Sequence, residues 1–97
     1  MRVRMTEVYR DWINGLKDRA CRARIQVRVD RLAHGNPGQH RNLSDGVVEL
    51  KIDFGPGYRV YFTERGGELI ILLAGGDKST QRQDIKAAIA LARNLQE

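Results

Sequence analysis

A chain of 97 residues, 41% hydrophobic and 30% charged, has room for a single domain spanning 1–97, built on one sheet with a few helices. That size excludes a second core or a large cofactor domain, and the composition excludes a disordered chain. The net charge of +5 is unevenly spread: residues 1–44 hold ten Arg or Lys against four acids, and residues 45–97 hold seven against eight.

Thirteen of the seventeen bases are Arg, whose planar fork suits phosphate. The N-terminal half is therefore either a polyanion-binding surface or a solubilising basic face. Cys21 stands alone, which excludes an intramolecular disulfide, and no Cys/His set has zinc spacing, so no metal is expected. The first residues, Met-Arg-Val-Arg-Met-Thr-Glu, carry no apolar signal core, and no run approaches membrane-spanning length. A cytoplasmic setting without a membrane partner is the expectation.

Residues 2–5 alternate as a short strand. Thr6 can cap a helix carrying the stripe Tyr9, Trp12, Ile13 and Leu16. Asp18 can cap a second helix over roughly 19–34, where Cys21, Ile25, Val29 and Leu32 share one arc and Arg24, Arg28 and Arg31 share its flank. Together they read as a helical hairpin with a basic edge. Gly35-Asn36-Pro37-Gly38 stops it, and residues 39–43 suit a short edge strand. Residues 47–54 and 58–65 alternate as two half-buried strands joined by Gly55-Pro56-Gly57, with Gly57 free to take positive φ. Leu69–Ala74 is apolar on both faces and belongs inside the sheet. Thr80 and Gln83 suggest a capping box for a last helix with the stripe Ile85, Ala88, Ile89 and Ala92. The order β-α-α-β-β-β-β-α is an α+β domain on a small, mostly antiparallel sheet.

If Phe54 and Tyr58 close the hairpin, Asp53 faces Arg59, Lys51 faces Tyr61, Glu49 faces Thr63 and Val47 faces Arg65. That face, carrying Lys51, Arg59, Tyr61 and Arg65, is either a solvated sheet surface with cross-strand ion pairs or a binding surface. Gly75-Gly76-Asp77-Lys78-Ser79-Thr80 opens a helix and can hold an anion, although it lacks Walker A spacing. His34 and His40 lie near a turn without a nucleophile partner, and no Ser or Cys hydrolase motif is visible.

Three stretches converge on one family. Gly46-Val-Val-Glu-Leu-Lys-Ile-Asp-Phe-Gly-Pro-Gly-Tyr-Arg-Val-Tyr-Phe62 resembles the pattern G-V-x-E-L-[RK]-I-x-x-G-x-G-Y-R-V-Y-[FY]. Leu72-Leu-Ala-Gly-Gly-Asp-Lys-Ser-Thr-Gln81 with Asp84-Ile85 resembles L-L-x-G-G-x-K-x-[TS]-Q-x-x-D-I. The segment from Trp12 to Asn36-Pro37-Gly38 matches the family's front pattern. The chain thus resembles the RelE/ParE toxin superfamily, on its HigB-like addiction-module killer branch, over nearly its whole length.

That resemblance implies a toxin encoded beside a cognate antitoxin, commonly a helix-turn-helix, HigA-like protein. It also implies an endoribonuclease that cuts messenger RNA on the ribosome without a cofactor. ParE-like relatives instead poison DNA gyrase on the same fold, and a member that only binds its antitoxin is a third reading. The matched positions place Arg59, Lys51 and Lys78 in the catalytic set, with Arg59 stabilising charge on phosphorus oxygens and a lysine binding phosphate or moving a proton. Arg24, Arg28, Arg31, Arg65, Tyr61 and Thr80 are the expected RNA contacts. The C-terminal Tyr or His of some relatives has no counterpart after Lys78, which leaves the general base unassigned.

Overall fold

The computed structural model describes residues 1–95. Its elements are β1 (Arg2–Met5), α1 (Glu7–Gly15), α2 (Arg19–Ala33), β2 (His40–Asn42), β3 (Val47–Ile52), β4 (Tyr58–Arg65), β5 (Leu69–Gly76) and α3 (Gln81–Arg93), with a 3₁₀ turn at Lys78–Thr80 before α3. The five strands form one sheet in the order β1-β5-β4-β3-β2. Only the β1–β5 pairing is parallel. The α+β architecture expected from the sequence is the one observed, and it is consistent with a RelE-like fold.

Local chemistry starts the first two helices where the sequence marks them. The Thr6 hydroxyl accepts the Tyr9 amide, and the Asp18 carboxylate accepts those of Ala20 and Cys21, which satisfies amides that the first turn leaves free. The expected capping box at α3 does not form, because the Thr80 side chain caps no amide. Its hydroxyl donates instead to Asp84 Oδ2 at 2.6 Å. Asp77 caps the preceding turn by accepting the Ser79 amide at 2.8 Å.

Helices cover both faces of the sheet. On one face, Tyr9, Cys21, Ile25, Val29 and Leu32 from α1 and α2 pack on Leu50, Ile52, Val60, Phe62, Ile70 and Leu72. On the other, Ala88 and Ala92 of α3 pack on Val47, Tyr61, Leu69, Ile71, Leu73 and Ala74. The face of Lys51, Arg59, Tyr61 and Arg65 is therefore not an open charged surface. It lies under α3, whose single apolar stripe has nowhere else to be buried.

The β3–β4 register also departs from expectation. Lys51 pairs with Arg59, Glu49 with Tyr61 and Val47 with Thr63, so Asp53 and Arg59 are not partners. Asp53 and Phe54 join the connecting loop, where Phe54 donates its amide to the Ile52 carbonyl and Gly57, at φ 82°, donates to that of Phe54. The slip is two residues, so every side chain keeps its face.

The glycine pair closing β5 is required by what lies on each side of it. A Cβ on Gly75 would overlap the Trp12 ring, and one on Gly76 would overlap Asp84 Oδ2. Just before the pair, Leu73 is the extra residue of a bulge opposite the Tyr61–Phe62 step. The Thr6 hydroxyl donates to the Leu73 carbonyl at 2.7 Å and so ties α1 to the bulge.

Candidate functional site

Register brings the expected catalytic residues together. Lys51, Arg59 and Gly76 are consecutive partners across β3, β4 and β5, so the two basic side chains point to the α3 face in one row at the end of the sheet. Lys78 reaches the same corner from the 3₁₀ turn. Its carbon chain lies along Gly57, where a Cβ would sit 2.8 Å from Lys78 Cε. Arg59 binds the carbonyl of that same glycine, its Nη1 donating to Gly57 O at 3.3 Å and to Tyr58 O at 3.1 Å.

Arg59 is the unusual member. The residue is 7% exposed, its Nε has no hydrogen-bond partner, and among the described residues no carboxylate pairs with it. A buried cation held, among the described residues, by the backbone carbonyls of Gly57 and Tyr58 is unfavourable by itself and favours an anion supplied from outside. Lys51 is half-buried and Lys78 is exposed, so the cluster opens outward from Arg59.

Two carboxylates, Glu49 and Asp84, which sequence reasoning did not single out as functional, complete the corner together with the Tyr61 phenol. Glu49 is fully buried, its Oε1 paired with Arg41 Nη2 at 3.1 Å and its Oε2 accepting from Gln81 Nε2 at 3.0 Å. The Tyr61 hydroxyl lies beside it. Burial first, then the Glu49 charge, raises the Tyr61 pKa, with Asp84 adding to the rise and Arg59 opposing it. Tyr61 is fully buried, so it is out of reach as the RNA contact the sequence suggested; it forms the floor of the site. Asp84 is half-buried over Gly76, in the row next to Arg59. The signal for Asp84 was the glycine beside the strand end: a carboxylate laid on bare backbone needs that Cβ absent.

The remaining expected contacts are dispersed. Arg24 stacks on Phe54, its guanidinium carbon 4.7 Å from the ring centroid. With Arg28, Arg31, Ile52 and Asp53 the pair lines a cavity of about 170 Å³ on the opposite side of the β3–β4 loop from Arg59. Arg31 is exposed there. Arg28 is already engaged, donating from Nη1 to Lys51 O and from Nη2 to Pro37 O and Gln39 O, both at 2.9 Å. It straps the Asn36–Gln39 turn to β3. Arg65 sits at the far end of β4 and donates to Ala92 O at 3.2 Å, so it does not share the Arg59 corner.

Because Arg28 bonds three carbonyls, Arg28→Gln is expected to lower stability by about 2 kcal/mol, the range of charged hydrogen bonds. Arg31→Gln, on the exposed neighbour, should stay within ~0.5 kcal/mol of the parent. Urea midpoints of the two variants decide this; equal midpoints would refute the strap.

His34 and His40 play no part in the corner, each ring being hydrogen-bonded to a local carbonyl, of Asp30 and Gly38 respectively. Among the described residues no three His, Cys, Asp or Glu side chains cluster to hold a metal, and no helix is long and apolar enough to cross a membrane.

Comparison with known proteins places the chain. Residues 11–97 match the family described as phage derived protein Gp49-like (DUF891). The chain belongs to the Gp49-like family. Its members are often related to toxin–antitoxin modules. An uncharacterized protein of Haemophilus influenzae is 45% identical over 95 residues, covering 98% of this chain and 96% of that protein. The Gp49-like match spans every residue of the Arg59 corner.

Proposed function

We propose that this Gp49-like protein is the toxin of a type II toxin–antitoxin module, related to the HigB-like branch, and that it cleaves messenger RNA on the ribosome. The observation that carries the reading is Arg59: a guanidinium 7% exposed, without a carboxylate partner among the described residues, in a row with Lys51 and beside Lys78. Such a site suits a phosphodiester. Arg59 sits deepest, where low dielectric strengthens its hold on phosphorus oxygens as they gain charge. Lys51 and Lys78 hold the phosphate from the open side, and the departing 5′-oxygen takes a proton from one of them. The Thr80 hydroxyl lines the rim. Arg24 and Arg31, across the loop, hold the flanking RNA backbone through phosphate contacts. The partner that silences the protein is a cognate helix-turn-helix, HigA-like antitoxin covering part of this basic surface.

Mapping RNA ends in cells after induction tests the reading. New messenger ends within codons are expected, and they should vanish when the antitoxin is coexpressed. Trapped gyrase–DNA cleavage complexes without new RNA ends would replace the nuclease with a ParE-like poison. Absence of any growth effect would leave antitoxin binding alone.

A further inference from the structure

We infer that Asp84 is the general base of this site, taking the proton from the ribose 2′-hydroxyl. The assignment rests on the reading of the chain as a ribonuclease. It begins with the placement of the carboxylate: Asp84 lies over Gly76, the cross-strand partner of Arg59, so close that a Cβ on the glycine would overlap Oδ2. Partners in adjacent strands have Cβ positions about 4.5–5.5 Å apart, so Asp84 and Arg59 face the same small space. They do not pair across it; among the described residues Arg59 has no ion-pair partner. Opposite charges held in neighbouring positions without contact leave room for a group that interacts with both.

Asp84 is also the carboxylate with free capacity. Glu49 is fully buried, out of a substrate's reach, with Arg41 Nη2 3.1 Å from its Oε1 and Gln81 donating to its Oε2, and Asp77 is occupied by the Ser79 amide and hydroxyl. Asp53 lines the cavity on the other side of the loop. Asp84 is half-buried and accepts one hydrogen bond, from the Thr80 hydroxyl, on Oδ2. Thr80 is thus a positioning residue that fixes the carboxylate and leaves Oδ1 for the substrate.

The step balances within the chain's own groups. The 2′-hydroxyl proton passes to the Asp84 carboxylate, and the 2′-oxygen forms a bond to phosphorus. The bond from phosphorus to the 5′-oxygen breaks, and that oxygen takes a proton from the Lys78 ammonium. The products are a 2′,3′-cyclic phosphate and a free 5′-hydroxyl, and the two side chains exchange their protons with water.

Single-turnover cleavage of a short messenger on programmed ribosomes tests this. Asp84→Asn keeps the shape and an acceptor for Thr80, and is expected to cut ~10²–10⁴ times more slowly than wild type, the range for a lost general base. Asp84→Ala should be equally slow, and a formate series should restore part of its rate without affecting Asp84→Asn or an Arg59→Met control. A wild-type rate in Asp84→Asn, or an Asp84→Ala protein indifferent to formate, overturns the assignment and leaves Asp84 as an anchor of α3. If wild type cuts and Arg59→Met does not, the ribonuclease reading survives either result. If wild type cuts nothing on the ribosome, that reading fails and the base assignment fails with it.

Discussion

Replacing Arg59 with methionine is expected to abolish growth arrest while leaving the melting temperature unchanged or higher. The two effects have one cause. A cation 7% exposed and, among the described residues, without a carboxylate partner is held at a cost in the free protein, so a methionine of similar length relieves that cost. Activity moves the opposite way, because loss of one donor to a developing oxyanion typically lowers the rate by ~10²–10³. Arg59→Lys should also be poor, since a point charge cannot reproduce a planar fork that grips its own strand and a phosphate together. Asp53→Asn should be indistinguishable from wild type, because Asp53 lies in the loop and does not oppose Arg59. Thermal melts in a phosphate series add a measurement independent of toxicity. Phosphate should raise the melting temperature of wild type by mass action and leave that of Arg59→Met unmoved. A folded Arg59→Met protein that still arrests growth would shift the chemistry to Lys51 and Lys78.

The way Arg59 is buried explains which parts of this molecule could be read from its sequence. The helices and their caps at Thr6 and Asp18 follow from local chemistry within a few residues, and they appear where that chemistry puts them. The faces of β3 and β4 were legible because alternation is local as well. Their register was not, since it depends on whether Asp53 and Phe54 extend the strand or enter the turn, and Phe54 is drawn into the loop where Arg24 stacks on it. Alternation also assigns polar residues to water by default, which is why Glu49, Arg59, Tyr61 and Thr63 read as a surface. They are buried because α3 returns over that face, a long-range event announced only by its apolar stripe. The corner itself was half legible: Lys51, Arg59 and Lys78 stood out as basic residues in motifs. Glu49 and Asp84 did not, because a carboxylate's role here depends on what the fold brings to it from 32 residues away in one case and from a bare strand end in the other.

Buried phenols on both faces of the sheet make the fold sensitive to alkali in a predictable direction. Burial pushes the Tyr9 pKa from 10.0 up to about 12. A hydrogen bond with Cys21, then burial, then the charges of Cys21, Asp18 and Asp77, push that of Tyr58 up to about 12 as well. Tyr61 is raised by burial and by Glu49. In each case the folded state favours the neutral phenol, so its pKa exceeds the unfolded value of about 10. Below pH ~10 both states keep the proton and stability is intact; as pH rises from about 10 toward 12 the unfolded chain ionises first and stability falls. For Tyr9, 2% exposed, a rise of that size corresponds to roughly 2–3 kcal/mol, against the 5–15 kcal/mol typical of a small domain. All three groups act in the same direction, so stability is expected to fall as pH rises above about 10. Tyr9→Phe isolates one of them. Its hydroxyl is buried with no hydrogen-bond partner among the described residues, so its removal should be neutral or stabilising at pH 7. The variant should then lose less stability than wild type between pH 10 and 12, a difference cancelling the lysine and arginine titrations common to both. Urea unfolding at stepped pH, with tyrosinate absorbance followed in parallel, reads this directly. Parallel loss of stability in the two proteins would show that Tyr9 ionises without regard to the fold, and that its hydroxyl is not enclosed as the α1–sheet packing places it.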